Sequence, residues 1–333
     1  MKQLLAATLL TIPLYAAPLK VYILSGQSNM QGHAKISTFD SMAKDHKTAP
    51  LLQDMRDPSG KPVVCERVWI TYLSEDNAGK PTVKEGKLSA GFGASEDKIG
   101  PEFTFGLTMQ QQVKEPILLI KTAWGGKSLH TDFRPPSAGG EGAGKYYQRM
   151  IEHVKQVLAD PKKVVPTYQE KDGFELAGFV WFQGWNDMTD SGTYPQREKP
   201  GGYDLYSQNL AHLIRDVRKD LNAPKLPFVI GVIGVGGPTA LYEQPRYKQL
   251  HQNFRDAMAA PAKMTEFKGN VTNVLTEEFW DPQLAKSVSK KEKTPEDVEI
   301  CKGASNMEFH YLGAAKILAP IGKALADAMV RMK

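Results

Sequence analysis

Five short apolar runs, rich in β-branched and aromatic residues, recur along the chain. They are Lys20–Ser25 (KVYILS), Pro116–Thr122 (PILLIKT), Ala177–Gln183 (AGFVWFQ), Pro227–Gly234 (PFVIGVIG) and Val271–Thr276. A strand that is apolar without alternation has to be covered on both faces. Between these runs lie segments with helical spacing. Tyr146–Leu158 carries Met150, Val154 and Val157, Asp204–Leu221 carries Leu210, Leu213, Ile214 and Val217, and Tyr311–Met332 closes the chain. Strands alternating with helices specify a parallel sheet between helical layers. The expected fold is a three-layer α/β/α sandwich around a central, mainly parallel five-stranded sheet. Two stretches interrupt the rhythm and read as insertions. Residues 66–98 hold one strand-like run (RVWITYLS) and a Gly/Lys-rich hairpin-like segment, and residues 284–305 hold a lysine run read as a solvated loop. No Ser/Gly linker divides the chain, so residues 17–333 read as one domain.

Composition narrows the class. With 41% hydrophobic residues the chain has enough apolar surface to bury a core, which excludes a dominantly disordered state. Two cysteines exclude a disulfide scaffold, and no internal run reaches the ~18 apolar residues of a spanning helix. The net charge of +5 is spread along the chain and does not point to nucleic acid. The first residues, MKQLLAATLLTIPLYAA, place Lys2 before an apolar stretch that ends in Ala16 and Ala17. That layout reads as a signal peptide over residues 1–16, giving a secreted or periplasmic product with no membrane contact after cleavage. Export permits a Cys65–Cys301 disulfide, with two independent buried thiols as the alternative.

The chemistry-bearing residues cluster at strand ends. The first run leads into Gly26-Gln27-Ser28-Asn29-Met30, which puts Ser28 where open α/β sheets hold ligands, either as a nucleophile or as a helix cap. Met30 breaks the G-x-S-x-G pattern of the usual nucleophile elbow. The second run leads into Ala123-Trp124-Gly125-Gly126-Lys127-Ser128. Lys121 stands where a phosphate-binding loop needs its first glycine, so paired glycines that let a backbone N–H approach a ligand are the better reading. The third leads into Gln183-Gly184-Trp185-Asn186-Asp187, where Asn186 or Gln183 is a candidate side-chain donor. Near the C-terminus, His310 precedes the last helix as a candidate general base. Histidines are otherwise scattered, with no metal-binding motif and no cofactor signature.

Together these segments resemble the SGNH (GDSL-like) hydrolase superfamily. Ser28 matches its first block, Gly125 or Gly126 its second, Gly184-x-Asn186-Asp187 its third and His310 its last. GQSNMQG, IGPEFTFG, KTAWGGKSL, WFQGWND and FHYLG look like its sialate O-acetylesterase and acetylxylan-esterase-like group, over about residues 20–330. The resemblance implies a metal-free carbohydrate esterase acting on acetylated glycans. Ser28 would be the nucleophile and His310 the base, and the Ser28 and Gly126 (or Gly125) N–H groups with Asn186 or Gln183 would form the oxyanion hole. One position departs from it. The superfamily places an acid three residues before the histidine, and Met307 stands there. Glu308, two before, either reaches the imidazole as a third triad member or faces solvent, and a backbone carbonyl or another carboxylate is the alternative partner.

Gln27, Trp124, His130, Arg134 and Trp185 flank the proposed site as candidate substrate contacts, with core packing as the alternative for the tryptophans. His130 is also a second candidate base. Two other readings stay open: a different acyl-ester hydrolase of the same superfamily, and a glycan-binding protein without turnover.

Overall fold

The computed structural model describes residues 17–332. The candidate leader over residues 1–16 lies outside them. A seven-stranded sheet forms the centre, built from β1 (Leu19–Gly26), β2 (Val68–Glu75), β3 (Pro81–Lys87), β4 (Ile117–Ala123), β5 (Phe174–Phe182), β6 (Phe228–Val232) and β7 (Val271–Leu275) in the spatial order β3-β2-β4-β1-β5-β6-β7. All neighbours are parallel except the β2–β3 pair. The five expected strands are present and two more join them. The 66–98 segment is therefore not an excursion from the sheet. Its RVWITYLS run pairs parallel to β4, and its hairpin partner β3 makes an antiparallel edge. That edge is mostly exposed and carries Lys84, Glu85 and Lys87, charges that discourage pairing with another chain.

The strands read as continuous apolar runs because both faces are covered. Every residue of β4 is buried. Tyr22 of β1 meets Phe105 of helix Pro101–Gln112 edge-on, whereas Ser25, an odd number of residues along, points at Met150 of helix Lys145–Ala159. These two helices therefore lie on opposite faces. The terminal helix, Ala315–Arg331, packs on Pro101–Gln112 closely enough that a Cβ at Gly322 would sit 2.2 Å from the Pro101 carbonyl oxygen. It starts at Ala315 rather than at Tyr311. Residues 284–305 are not a loop. Pro282–Ser289 and Pro295–Cys301 are helices, the second opened by a capping box in which Thr294 and Asp297 satisfy each other's backbone N–H groups. The disulfide is absent, with Cys65 and Cys301 both free thiols. Burial pushes the Cys65 thiol up to about 12, so it packs as an inert hydrophobe.

One ion pair is buried outright. Lys121 on β4 and Glu102 on the first turn of Pro101–Gln112 meet at 2.7 Å with both side chains fully enclosed. The Lys121 ammonium also donates to the carbonyls of Gln31 (2.8 Å) and Phe92 (2.7 Å), and Glu102 accepts from Gly100 N–H. Burial alone pushes the carboxyl up and the ammonium down, and their mutual attraction opposes both shifts. Removing one partner strands a buried charge. Lys121→Met should lower the unfolding free energy by about 3–5 kcal/mol, read by urea denaturation, and Lys121→Met/Glu102→Leu should recover part of that loss.

Candidate active site

The site forms where β1, β4 and β5 end. Ser28 opens a single helical turn, α1 (Ser28–Gln31), directly after β1. The transition is tight. A Cβ on Gly26 would lie 2.1 Å from the Phe182 carbonyl oxygen, so only glycine lets the ends of β1 and β5 come this close. Ser28 is 6% exposed, and its Oγ has Gln27 Nε2 as a distant neighbour at 3.5 Å.

Gln27 is a structural hub. Its Oε1 accepts from the N–H groups of Gly184 (3.0 Å) and Asn186 (3.3 Å) and from Gln183 Nε2 (3.2 Å), and its Nε2 donates to Asn186 Oδ1 at 2.9 Å. Gln27 is buried and holds the β5 loop, a scaffold role rather than the expected substrate contact. The last contact also orients the Asn186 amide: with Oδ1 engaged, Nδ2 is the end left to donate. Gln183 does not serve as an oxyanion donor. It is buried, and its Nε2 is spent on Asp187 Oδ2 (2.6 Å), the Lys127 carbonyl (3.1 Å) and Gln27.

Asp187 is enclosed, yet it accepts from Leu129 N–H, His130 N–H, Gln183 Nε2 and Tyr194 Oη. Burial raises its pKa and these four donors oppose the rise. Asp187 therefore joins the β5 loop to the β4 loop carrying Gly125 and Gly126. Both glycines are exposed, and Gly126 adopts φ +70° with open space where a Cβ would stand. The N–H groups of Ser28 and Gly126 make no hydrogen bond among the described residues.

Several candidate substrate contacts have other roles. Trp124 is fully buried against Phe133 and Tyr146. Arg134 closes its own loop by donating to the Gly142 carbonyl and pairing with Glu141. His130 packs edge-on against Tyr194, with its backbone N–H on Asp187. Trp185 stays partly open and faces Phe309, which in turn packs on His310.

The 308–313 turn carrying His310 lies against α1. No hydrogen bond joins Ser28 Oγ and His310 among the described residues; in ligand-free sites such contacts often tighten only on substrate. The partner of His310 Nδ1 is Asn306 Oδ1 at 2.8 Å, so Asn306 takes the position expected of Glu308. Glu308 is exposed and points instead into a cleft with Tyr242 and Glu243. The Asn306 contact also sets the tautomer. Asn306 Oδ1 accepts Met307 N–H at 2.8 Å, which marks that atom as the amide oxygen. His310 Nδ1 must then carry the hydrogen, and Nε2 keeps its lone pair.

Immediately beyond, Tyr311 and Leu312 sit at φ +53° and +59°, left-handed values that cost roughly 1–3 kcal/mol each. Tyr311 is locked there: its ring is buried and its hydroxyl bonds Gly234 N–H (2.8 Å) and Thr276 Oγ1 (2.6 Å). Sequence reasoning missed Asn306 and His33. His33 follows α1, and its ring stacks on His310 at 3.9 Å and 2°. An amide four residues before the histidine is the only local signal for Asn306, and a stacked pair 277 positions apart has none.

Two consequences are measurable. Burial and nearby Lys98 push His310 down to about 4, with no carboxylate on Nδ1 to oppose them. Asn306→Asp should therefore raise the His310 pKa, read by NMR titration of the imidazole. Burial also pushes His33 to about 3 and His153 and His251 to about 4. Each folded value lies below the unfolded ~6.5, so the unfolded chain binds more protons in between. The urea midpoint should be flat above pH 7 and fall steadily from pH 6.5 towards pH 4.

A family model described as carbohydrate esterase, sialic acid-specific acetylesterase, matches residues 18–277. A probable carbohydrate esterase of Arabidopsis thaliana is 24% identical over 270 residues, covering 78% of this chain and 85% of that protein. The X-ray structure of an Arabidopsis thaliana protein superposes with TM-score 0.52 at 17% identity, over 94% of this chain and 98% of that one, and supports the fold. A carbohydrate acetylesterase from Xanthomonas citri superposes with TM-score 0.44 at 14% identity, over 84% of this chain and 54% of that one. With the family model spanning most of its length, the chain belongs to the sialic acid-specific acetylesterase family of SGNH-like carbohydrate esterases.

Proposed function

We propose that this protein is an exported serine esterase that removes O-acetyl groups from glycans. The observation that carries the reading is the imidazole whose free Nε2 is fixed by Asn306, on a turn lying against the one that Ser28 opens. Ser28 Oγ attacks the acetyl carbonyl as His310 Nε2 takes its proton. The same nitrogen returns that proton to the sugar oxygen as the acetyl–sugar bond breaks. Water, deprotonated by His310, then releases acetate and restores Ser28. The unpartnered N–H groups of Ser28 and Gly126 and the Asn186 amide would hold the tetrahedral oxyanion, each worth about 10²–10³ in rate. Gly125 lies one residue from this position. Export rests on the cation, apolar stretch and small residues at the N-terminus.

Acetate release from p-nitrophenyl acetate and from acetylated glycans tests this. Ser28→Ala and His310→Ala should each lower kcat by orders of magnitude in a folded protein, and Asn186→Ala should lower kcat more than it changes KM. Turnover of wild-type size by Ser28→Ala would end the proposal.

Within the family's range of acetylated sugars, one feature favours an uncharged glycan of the acetylxylan kind over sialate. A cleft of about 450 Å³ runs beside Trp185, and Glu243 and Glu308 line it without any lysine or arginine. Its His251 is pushed down to about 4 and stays neutral. Two carboxylates facing one pocket repel a sugar acid and accept sugar hydroxyls. Acetate release from acetylxylan should exceed that from O-acetylated sialic acid at equal concentration, and the reverse order would favour sialate.

A further inference from the structure

The chemistry of His33 is unusual for its place. Both ring nitrogens are buried with no hydrogen-bond partner, which costs free energy that a phenylalanine ring would not. The ring lies flat on His310 at 3.9 Å and 2°. The backbones on either side are clipped together. Ser305 Oγ donates to the Gly313 carbonyl at 2.6 Å, lies 3.3 Å from the His33 carbonyl, and accepts Lys35 N–H at 3.1 Å. Gly32, just before His33, passes so near Gly100 that a Cβ would stand 2.0 Å from its Cα. His33 thus has little freedom to leave the stack.

We propose that His33 is a positioning residue for His310, a flat cover that holds the imidazole in the plane set by Asn306 and keeps water off one face. This role rests on the esterase reading above. An edge-on Phe309 covers His310 from another side. The charged groups around the pair are Lys98, Lys121 with its partner Glu102, and Glu308 on His310's own turn. With one face dry and Lys98 nearby, the imidazole stays neutral into mildly acidic solution, where a more exposed histidine would already be charged and unable to accept a proton.

The test compares pH profiles of kcat/KM on p-nitrophenyl acetate for wild type, His33→Ala and His33→Phe between pH 5 and 8. Wild type should show no acid limb in this window. His33→Ala should bring one in, displaced upwards by about one unit or more towards 6.5 as water reaches the ring. It should also lower kcat/KM at pH 8 roughly tenfold through misplacement of Nε2. His33→Phe keeps the plane and, like wild type, should show no acid limb between pH 5 and 8. Should His33→Ala fail to fold, His33→Gln, which has no ring, makes the same comparison. NMR titration of His310 in the same variants reads the effect without turnover, so an inactive wild type would defeat the esterase reading and leave this one to be judged. Superimposed profiles and titrations for wild type and the ringless variant would overturn the proposal. So would a phenylalanine variant that behaves like alanine.

Discussion

A carboxylate buried at the ends of two strands holds this site together. Asp187 is fully buried, and its oxygens are answered from within the protein by donors from the β4 loop, the β5 loop and Tyr194. Meeting that need fixes the two loops relative to each other. Gln27 extends the tie to the turn that carries Ser28 and, through Asn186 Oδ1, aims the Asn186 amide. The cost of an unanswered polar group in a low-dielectric interior makes such a network all-or-nothing. This explains why Gln183 and Gln27, polar residues at strand ends, serve as scaffold and not as substrate contacts.

The second constraint lies in the histidine turn. A carboxylate on Nδ1 would stabilise an imidazolium. An amide oxygen holds the same tautomer without adding charge. The result is a well-oriented but weakly basic imidazole, kept in place by a backbone strained at Tyr311 and Leu312 and anchored by the Tyr311 hydroxyl. Strain of this kind persists only where the surroundings over-determine it. Here the buried ring of Tyr311 and the Ser305 clip supply that determination.

The buried Lys121–Glu102 pair reaches the same site from behind. Lys121 donates to the carbonyl of Gln31, the last residue of α1, and so closes the end of the turn that Ser28 opens. Lys121 stands inside a fully buried strand, at the position where a phosphate-binding loop would need a glycine. Its chemistry is that of a clamp.

The sequence by itself determined the layered α/β architecture, because unalternating apolar strands can be stable only between two helical layers. It also marked the strand ends as the candidate site: Ser28, Gly126, Asn186 and His310 follow apolar runs or precede the last helix. Local signals of that kind survive without coordinates because they depend on neighbouring residues. The joining of β2 and β3 to the sheet through β4, and the separation of the two free thiols, depended on residues far along the chain. The identity of the His310 partner was decided by the shape of its own turn. Glu308 has the right charge and the wrong direction, since the turn sends it into the neighbouring cleft while Asn306 folds back onto the ring. Only the tertiary structure could decide this, because side-chain direction in an irregular turn is set by φ values that no periodicity encodes, and the stack of His33 on His310 is set by packing between distant segments.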